Sequence, residues 1–380
     1  MKDIKELTKE SFSIDLQNTF FKSMQILPNP DKLFRNLGKS YATYRELKND
    51  PHVWSCIQSR KSGIMSREYK VLSGESDETT RQEIERIIND LDVQELLRDI
   101  LDAPLFGFQP FEVIWEICNG SRKYCLPERI VAKPQEWFVY DKNDNLRFLK
   151  SGEPQGVLPP PMKIINIRYE PSVMNPYGES LLAKSYWPVT FKKGSLRFWV
   201  NFTERYGMPF LVGKYTRGAN VDEARKLASE LANMTEDAII VTPSDIELQM
   251  KEPMRFSSVS LYKEMIKQCN AEISKAILSQ TLTTELDMGS YAASQTHFKI
   301  RKEVILSDAK LVENFFNTLI KWIVDLNYPS KKYPVFKIIT DDIDELHLAE
   351  RDNKLMQSGI KLSKDYFMRA YGFKPNDIEI

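Results

Sequence analysis

The sequence predicts an α+β fold in which a mixed N-terminal body is followed by long helices. Two observations carry that expectation. Short apolar runs that alternate with polar residues, separated by turn signals, fill the middle of the chain. Apolar residues at helical spacing flank that stretch on both sides. No run reaches about 18 consecutive apolar residues, so no membrane span is expected.

Residues 1–40 are mixed in character and read as an arm. From Tyr41 to about Ile64 the pattern is helical, carried by Leu47, Val53, Trp54, Ile57 and Ile64, with Asp50-Pro51 as cap and first turn. Tyr69 to Leu72 reads as a strand and residues 73–77 as a loop. Ile84, Ile87, Ile88, Leu91, Leu96, Leu97 and Leu101 then mark an amphipathic helical region over residues 79–101. Phe111, Val113, Trp115 and Ile117 alternate as a strand that runs into Asn119-Gly120, a hairpin turn. Two short strands, 137–140 and 146–149, are split by Asp144-Asn145. Pro159-Pro160-Pro161 marks an extended connector, followed by a strand from Ile164 to Arg168.

Asn175-Pro176-Tyr177-Gly178 forms a turn before a long helical region, Glu179 to Tyr206. Pro188 lies inside it and predicts a kink or a new helix start. Gly207-Met208-Pro209 ends it. Residues 210–258 read as a compact α/β insert with strands at 210–214, 238–242 and 246–250 and a helix at 222–234. A helix over 259–278, a polar stretch over 279–290, an apolar helix over about 295–326 and a strand at 335–339 follow. A last helix is expected around 344–358.

Fifty-three basic residues balance 53 acidic ones, which argues against a surface that grips nucleic acid everywhere, though not against local basic patches. Three histidines and four cysteines make a multi-ligand zinc site unexpected. Cys118 and Cys125 straddle the hairpin and could face each other, but sparse cysteines without CxxC spacing read better as reduced thiols. The charged N-terminus, MKDIKELTKE, has no apolar core of a signal peptide, so a cytoplasmic setting is expected.

Catalytic motifs are near-misses. Gly207, Gly213 and Lys214 approach a phosphate loop, but five residues separate the glycines and Tyr215 stands where a magnesium-binding Ser or Thr belongs. There is no GxGxxG and no GxSxG. His52, His297 and His347 are scattered and read as packing or surface histidines. Asp341, Asp342, Asp344 and Glu345 could hold a divalent cation, but an acid-rich helix start accounts for them better. No enzyme activity, cofactor or metal is expected.

Trp187, Phe191, Phe198, Trp199 and Phe202 run nearly all round one helix, which suggests burial on several sides, as in a ring of subunits. Three ordered stretches then carry a family resemblance. They are Ala103-Pro104-Leu105-Phe106-Gly107-Phe108 through Phe111-Glu112-Val113-Ile114-Trp115; Trp199-Val200-Asn201-Phe202-Thr203-Glu204-Arg205-Tyr206-Gly207-Met208-Pro209; and Glu272-Ile273-Ser274-Lys275-Ala276-Ile277-Leu278-Ser279-Gln280-Thr281-Leu282-Thr283-Thr284. Over roughly residues 50–345 the chain resembles the portal proteins of Mu-like tailed phages and prophages.

The resemblance implies a dodecameric homo-oligomeric ring at one capsid vertex, through which double-stranded DNA passes in packaging and ejection. Its implied partners are the terminase large subunit, a head–tail connector, and the major capsid and scaffolding proteins. Its implied setting is the host bacterial cytoplasm during assembly and then the virion, with no membrane. It maps residues 41–178 to a wing, 179–206 and 259–278 to two stem helices, 207–258 to a clip, 279–292 to a tunnel loop and 293–345 to a long helix returning to the wing. Residues 346–380 would be a helical tail with at most a reduced crown.

On that frame Lys192, Lys193 and Arg197 are candidate cationic rings, from a segment with five basic and two acidic residues. Phosphate contacts carry no sequence information, which suits a conduit. A solvated helix face or inter-subunit ion pairs explain the same charges equally well. The tunnel-loop candidates Thr283, Thr284, Glu285, Asp287 and Ser290 are polar or acidic and would leave DNA mobile. Two other readings stay open: a portal-fold adaptor or scaffold that conducts no DNA, and an enzyme with an unrecognised site.

Overall fold

The computed structural model describes residues 26–119, 123–206, 211–215, 239–243, 255–281, 291–329, 331–340 and 345–371, with a few helical positions between 222 and 229. The N-terminal body begins with strand β1 (Ile26–Leu27) and helices α1 (Lys32–Leu37), α2 (Tyr41–Leu47) and α3 (Pro51–Met65). Asp50 starts α3: its carboxylate accepts from the backbone N–H of His52 and Val53, and Pro51 fills the first position, where no N–H is needed. Strand β2 (Tyr69–Leu72) leads to α4 (Glu78–Asn89) and α5 (Val93–Ile100). The amphipathic stretch is thus two helices, because Asp92 caps a second one by accepting from Glu95 N–H.

After α6 (Ala103–Phe106) come strands β3 (Phe108–Asn119), β4 (Lys123–Ala132), β5 (Phe138–Asp141), β6 (Leu146–Lys150), β7 (Glu153–Val157) and β8 (Ile164–Arg168). One antiparallel sheet has the order β4-β3-β8 and a second has the order β1-β5-β6-β7. Strand β7 escapes the sequence pattern: Pro154 and Gly156 sit inside it, and it is an edge with four of five residues exposed. Across the β3–β4 hairpin Cys125 pairs with Ile117, and Cys118 with Tyr124, so the two cysteines are offset by one register position.

Two glycines join α6 to the segment before the long helices. Gly107 (φ 96°) and Gly178 (φ 76°) are both in the left-handed region. A Cβ on Gly178 would stand 2.3 Å from Gly107 O and 2.4 Å from Tyr169 O. Only glycine permits this backbone approach. It is fixed by hydrogen bonds from Tyr169 N to Gly107 O and from Glu179 N to Tyr169 O.

The long helices are α7 (Leu181–Tyr206), α8 (Arg255–Leu278) and α9 (Tyr291–Asn327). The expected break at Pro188 does not occur as a new start: α7 is one helix with Pro188 inside it. Strands β9 (Leu211–Tyr215) and β10 (Ile239–Pro243) lie between α7 and α8 and pair in parallel. The expected strand at 246–250 lies outside the described residues. Strand β11 (Val335–Ile338) returns to pair antiparallel with β2, and α10 (Glu345–Gln357) and α11 (Lys364–Tyr371) follow.

The body has two cores. In one, Val312, Phe315, Phe316, Leu319, Ile320, Ile323 and Val324 of α9 pack against α4, α5, β2, β3, β8 and β11. All seven are fully buried, and each contributes roughly 1.5–3 kcal/mol. The other joins α1, α2, α3, α6 and β5 to Leu182 and Val189 of α7 and to Ile273, Ile277 and Leu278 of α8. The start of α7 and the end of α8 are therefore rooted in the body.

Candidate functional site

Helices α7 and α8 form an antiparallel hairpin. Leu182 and Val189 share a core with Ile273 and Ile277, while at the other end the rings of Phe202 and Tyr262 lie 6.2 Å apart. At about 100° per residue, the Phe202–Tyr262 contact and the burial of Cys269 and Ile273 assign the side on which each helix meets the other. Ser195, Trp199 and Phe202 lie on the α8-facing side of α7, and Trp199 and Phe202 are half-buried there. Trp187, Phe191 and Phe198 line a different side and are exposed. Trp187 and Phe191 stack on each other at 5.6 Å. The five aromatic residues expected together at a subunit contact therefore divide: two belong to the hairpin's own seam and three stand free of it.

The basic candidates also divide. Lys193 and Arg197 are exposed on the side of α7 turned away from α8. Lys192 does not belong with them. It is 7% exposed, and its ammonium lies 3.0 Å from Asp50 Oδ1 and 2.9 Å from Oδ2. Burial disfavours the charged Asp50, but the Lys192 ammonium and the N–H groups of Val53 and His52 outweigh that and hold its carboxyl below the usual range. Lys192 is thus a fastening of α7 to α3, not part of a cationic surface.

Beside this pair, His52 Nε2 is 2.8 Å from Ser274 Oγ, and Cys56 Sγ is 3.7 Å from the same hydroxyl. Helix α3 therefore holds both helices of the hairpin. Burial pushes the Cys56 thiol up, which makes it a poor nucleophile. His52 is accordingly a packing histidine. The side chains of His297 and His347 lie outside the described residues.

A second fastening lies where α8 ends. Ser279 turns the chain with φ 59°, and its N–H donates to Lys275 O. Arg60 of α3 donates to Ile277 O at 2.6 Å, and it forms a bidentate ion pair with Asp308 of α9, both bonds 2.8 Å. Its guanidinium also lies over the Tyr169 ring. Burial opposes the charge of Arg60, but Asp308 reverses this and its pKa is raised. One arginine thereby ties together the two helices that bracket residues 282–290. Thr283, Thr284, Glu285, Asp287 and Ser290 lie outside the described residues, as do Asp341, Asp342 and Asp344.

Asp50, Arg60 and Asp308 were not legible as a unit, since their partners lie 142 and 248 residues away in sequence. Only the Asp50-Pro51 cap gave a local signal. Among the described residues no group of His, Cys, Asp and Glu is placed to hold a metal, and no helix is long and apolar enough to cross a membrane.

Comparison with known proteins adds a family. Residues 41–373 match the family model described as portal protein of Mu bacteriophage. The chain is 26% identical over 339 residues to the Mu-like prophage FluMu protein gp29 of Haemophilus influenzae (strain ATCC 51907 / DSM 11121 / KW20 / Rd), covering 84% of this chain and 64% of that protein. It is 25% identical over 303 residues to the portal protein of Escherichia phage Mu, covering 74% of this chain and 54% of that protein. The chain thus spans less than two thirds of the length of these relatives. Its fold is similar to a chain in the virion of a native gene transfer agent particle, with a TM-score of 0.59 at 13% identity, covering 88% of this chain and 93% of that one. A chain in the neck of an empty particle of that kind gives 0.57 at 14% identity, covering 87% and 94%.

Proposed function

Because this chain belongs to the family of portal proteins of Mu bacteriophage, we propose that it assembles into a ring at one capsid vertex and conducts double-stranded DNA. The observation that carries the ring is the exposed aromatic side of α7, where Phe198 is 63% exposed in the single chain. An isolated subunit gains nothing from three aromatic rings in water, whereas a neighbouring copy would cover them. In this reading residues 41–178 are the wing, α7 and α8 the stem, 207–258 the clip and 279–292 the tunnel loop.

Lys193 and Arg197 turn away from α8 and supply phosphate contacts along the channel without reading sequence. The Thr283–Ser290 stretch touches DNA in transit, and Arg60 holds its two flanking helices at a fixed separation. The terminase large subunit and a head–tail connector dock at the clip end. The capsid and scaffolding proteins surround the wing. Assembly takes place in the host cytoplasm, and the ring ends in the virion. The chain itself performs no catalysis; the motor that hydrolyses ATP is a separate protein.

The test has two arms. Light scattering and negative-stain imaging of the purified chain should give a large closed ring; a monomer or small oligomer at all concentrations sinks the reading. Replacing residues 283–287 with a short glycine–serine link should then leave ring size unchanged and impair DNA packaging or retention. Loss of the ring in that variant would make the stretch a packing element instead.

A further inference from the structure

A cleft opens where the two antiparallel sheets meet. Its lining comes from both: Glu112 and Ile164 belong to the β4-β3-β8 sheet, and Phe138, Phe148 and Val157 to the β1-β5-β6-β7 sheet. The cavity measures about 320 Å³. Four large apolar side chains that line it reach water: Trp137 is 46% exposed, Phe148 37%, Val157 40% and Leu158 49%. Exposed apolar residues scattered singly are ordinary, but four that converge on one concavity mark a binding surface.

One wall of the cleft is preformed. After Val157 the chain runs through Leu158, Pro159 and Pro160, where each proline fixes its own φ. It then turns at Met162, whose φ of 57° lies in a region that residues other than glycine seldom adopt. The turn is held from β3: Trp115 Nε1 donates to Met162 O at 2.8 Å, and Val113 N to Lys163 O at 2.9 Å. A wall fixed in this way loses little freedom when a ligand arrives.

The charge in the lining is cationic. Lys133 lies 2.8 Å from one oxygen of Glu112 and Lys163 lies 3.3 Å from the other. These two lysines, Lys133 above all, hold the Glu112 carboxyl below the usual range. Lys150 is exposed and lines the same cavity, so three lysines face one glutamate. Glu153 stands opposite Lys150 in the β6–β7 ladder but does not line the cavity.

We propose that this cleft holds a short segment of another protein in which an apolar side chain is flanked by carboxylates. The apolar side chain packs against Trp137, Phe148 and Leu158, and the carboxylates meet Lys150 and Lys163. The face of a folded domain is too broad for a cavity of this size. A free small molecule is served badly, because sites for such ligands enclose most of the ligand surface and these walls are themselves open to water. A chain segment that continues past both ends of the cleft needs only its anchoring side chain enclosed. The excess of lysine over glutamate selects acidic segments and rejects basic ones. None of this depends on the ring.

The test is fluorescence anisotropy on the full chain with three labelled peptides. The first is Ser-Glu-Leu-Phe-Asp-Glu-Ser, the second carries lysine in place of each acid, and the third carries alanine in place of leucine and phenylalanine. The first should saturate, bind about ten-fold or more tighter than either control, and weaken as salt is raised. Leu158→Asp should weaken it about ten-fold or more, by placing a carboxylate in the apolar lining. Lys150→Glu should weaken the acidic peptide and strengthen the lysine peptide. Both positions are exposed, so urea midpoints should match wild type. Trp137→Ser replaces L158D if that midpoint falls. No saturation of wild type by about 1 mM peptide, or equal binding of the acidic and lysine peptides, would overturn the proposal. So would binding that the lining variants and K150E leave unchanged. If L158D instead alters the particle size of the chain alone by light scattering, a second copy fills the cleft and the proposal falls.

Discussion

Lys192 of α7 and Asp50 of α3 form a buried ion pair, with the ammonium 2.9 Å from Asp50 Oδ2. Asp50 does two jobs with one carboxylate. It caps α3 through the N–H groups of His52 and Val53, and it neutralises Lys192. Removing only the lysine leaves a buried charge without its counter-ion. Lys192→Met should therefore destabilise the chain by about 3–5 kcal/mol. Asp50→Asn together with Lys192→Met keeps a capping side chain and removes both charges, so it should recover most of that loss. Urea unfolding midpoints of the three variants check this, and equal midpoints for K192M and wild type would show that the pair contributes nothing.

The same carboxyl sets an acid limit. Its pKa in the folded chain is lowered, since Lys192 and two backbone donors outweigh the opposing effect of burial. A depressed carboxyl contributes stability above its unfolded value, near about 4, and that contribution is lost as pH falls through the lower folded value. Wild-type stability should drop over that acid window. In K192M burial acts unopposed by the ammonium, so the carboxyl's folded value rises and the acid-linked loss should shrink or reverse. Urea midpoints measured from neutral pH into the acid range check this: the gap between wild type and K192M should narrow as pH falls, and a gap that widens would contradict it.

The Gly107–Gly178 approach gives a prediction of a different kind. A methyl on Gly178 would meet two backbone oxygens, at 2.3 Å and 2.4 Å, and would occupy a positive-φ position. Neither oxygen is at the end of a flexible side chain, so the backbone itself must move. Gly178→Ala should cost about 2–4 kcal/mol, beyond an ordinary surface change. The exposed Gly152→Ala, in the turn between β6 and β7, serves as a control: its φ of 86° is strained, but nothing lies within 4 Å. Thermal melts should separate the two, and equal losses would show that conformation alone, not contact, sets the cost.

Much of the fold was legible because it is written locally. The Asp50-Pro51 cap, the pairing of β3 with β4 and the apolar spacing of α9 each depend on neighbours within a few residues. The α7–α8 hairpin was legible as two helices, but not which side of α7 faces what. Periodicity sorts residues into sides; only the partner helix says which side is inside. Spacing alone therefore groups Trp199 and Phe202 with Trp187, Phe191 and Phe198, and Lys192 with Lys193. Strand β7 escaped because Pro154 and Gly156 mask it. Pro188 misled in the other direction: the loss of one backbone donor is absorbed within a helix whose start is rooted in a core through Leu182 and Val189.

The division of the basic residues can be tested against DNA directly. Lys193 and Arg197 are exposed and share a side, whereas Lys192 is 7% exposed and bound to Asp50. Each phosphate contact releases counter-ions, so the logarithm of affinity falls with the logarithm of salt by about 0.9 per contact. If Lys193 and Arg197 meet phosphate, Lys193→Ala with Arg197→Ala should make that slope shallower by up to about two for each engaged subunit. Ring size should be unchanged and the unfolding free energy should stay within about 0.5 kcal/mol of wild type, since both side chains lie at the surface. Lys192→Met should do the reverse: it lowers the midpoint and leaves the salt slope unchanged in whatever ring still forms. Binding of a duplex of fixed length, titrated across salt concentrations for both variants, makes the comparison. A slope that shifts with Lys192 and not with Lys193 and Arg197 would return Lys192 to the DNA-facing set and remove the other two from it.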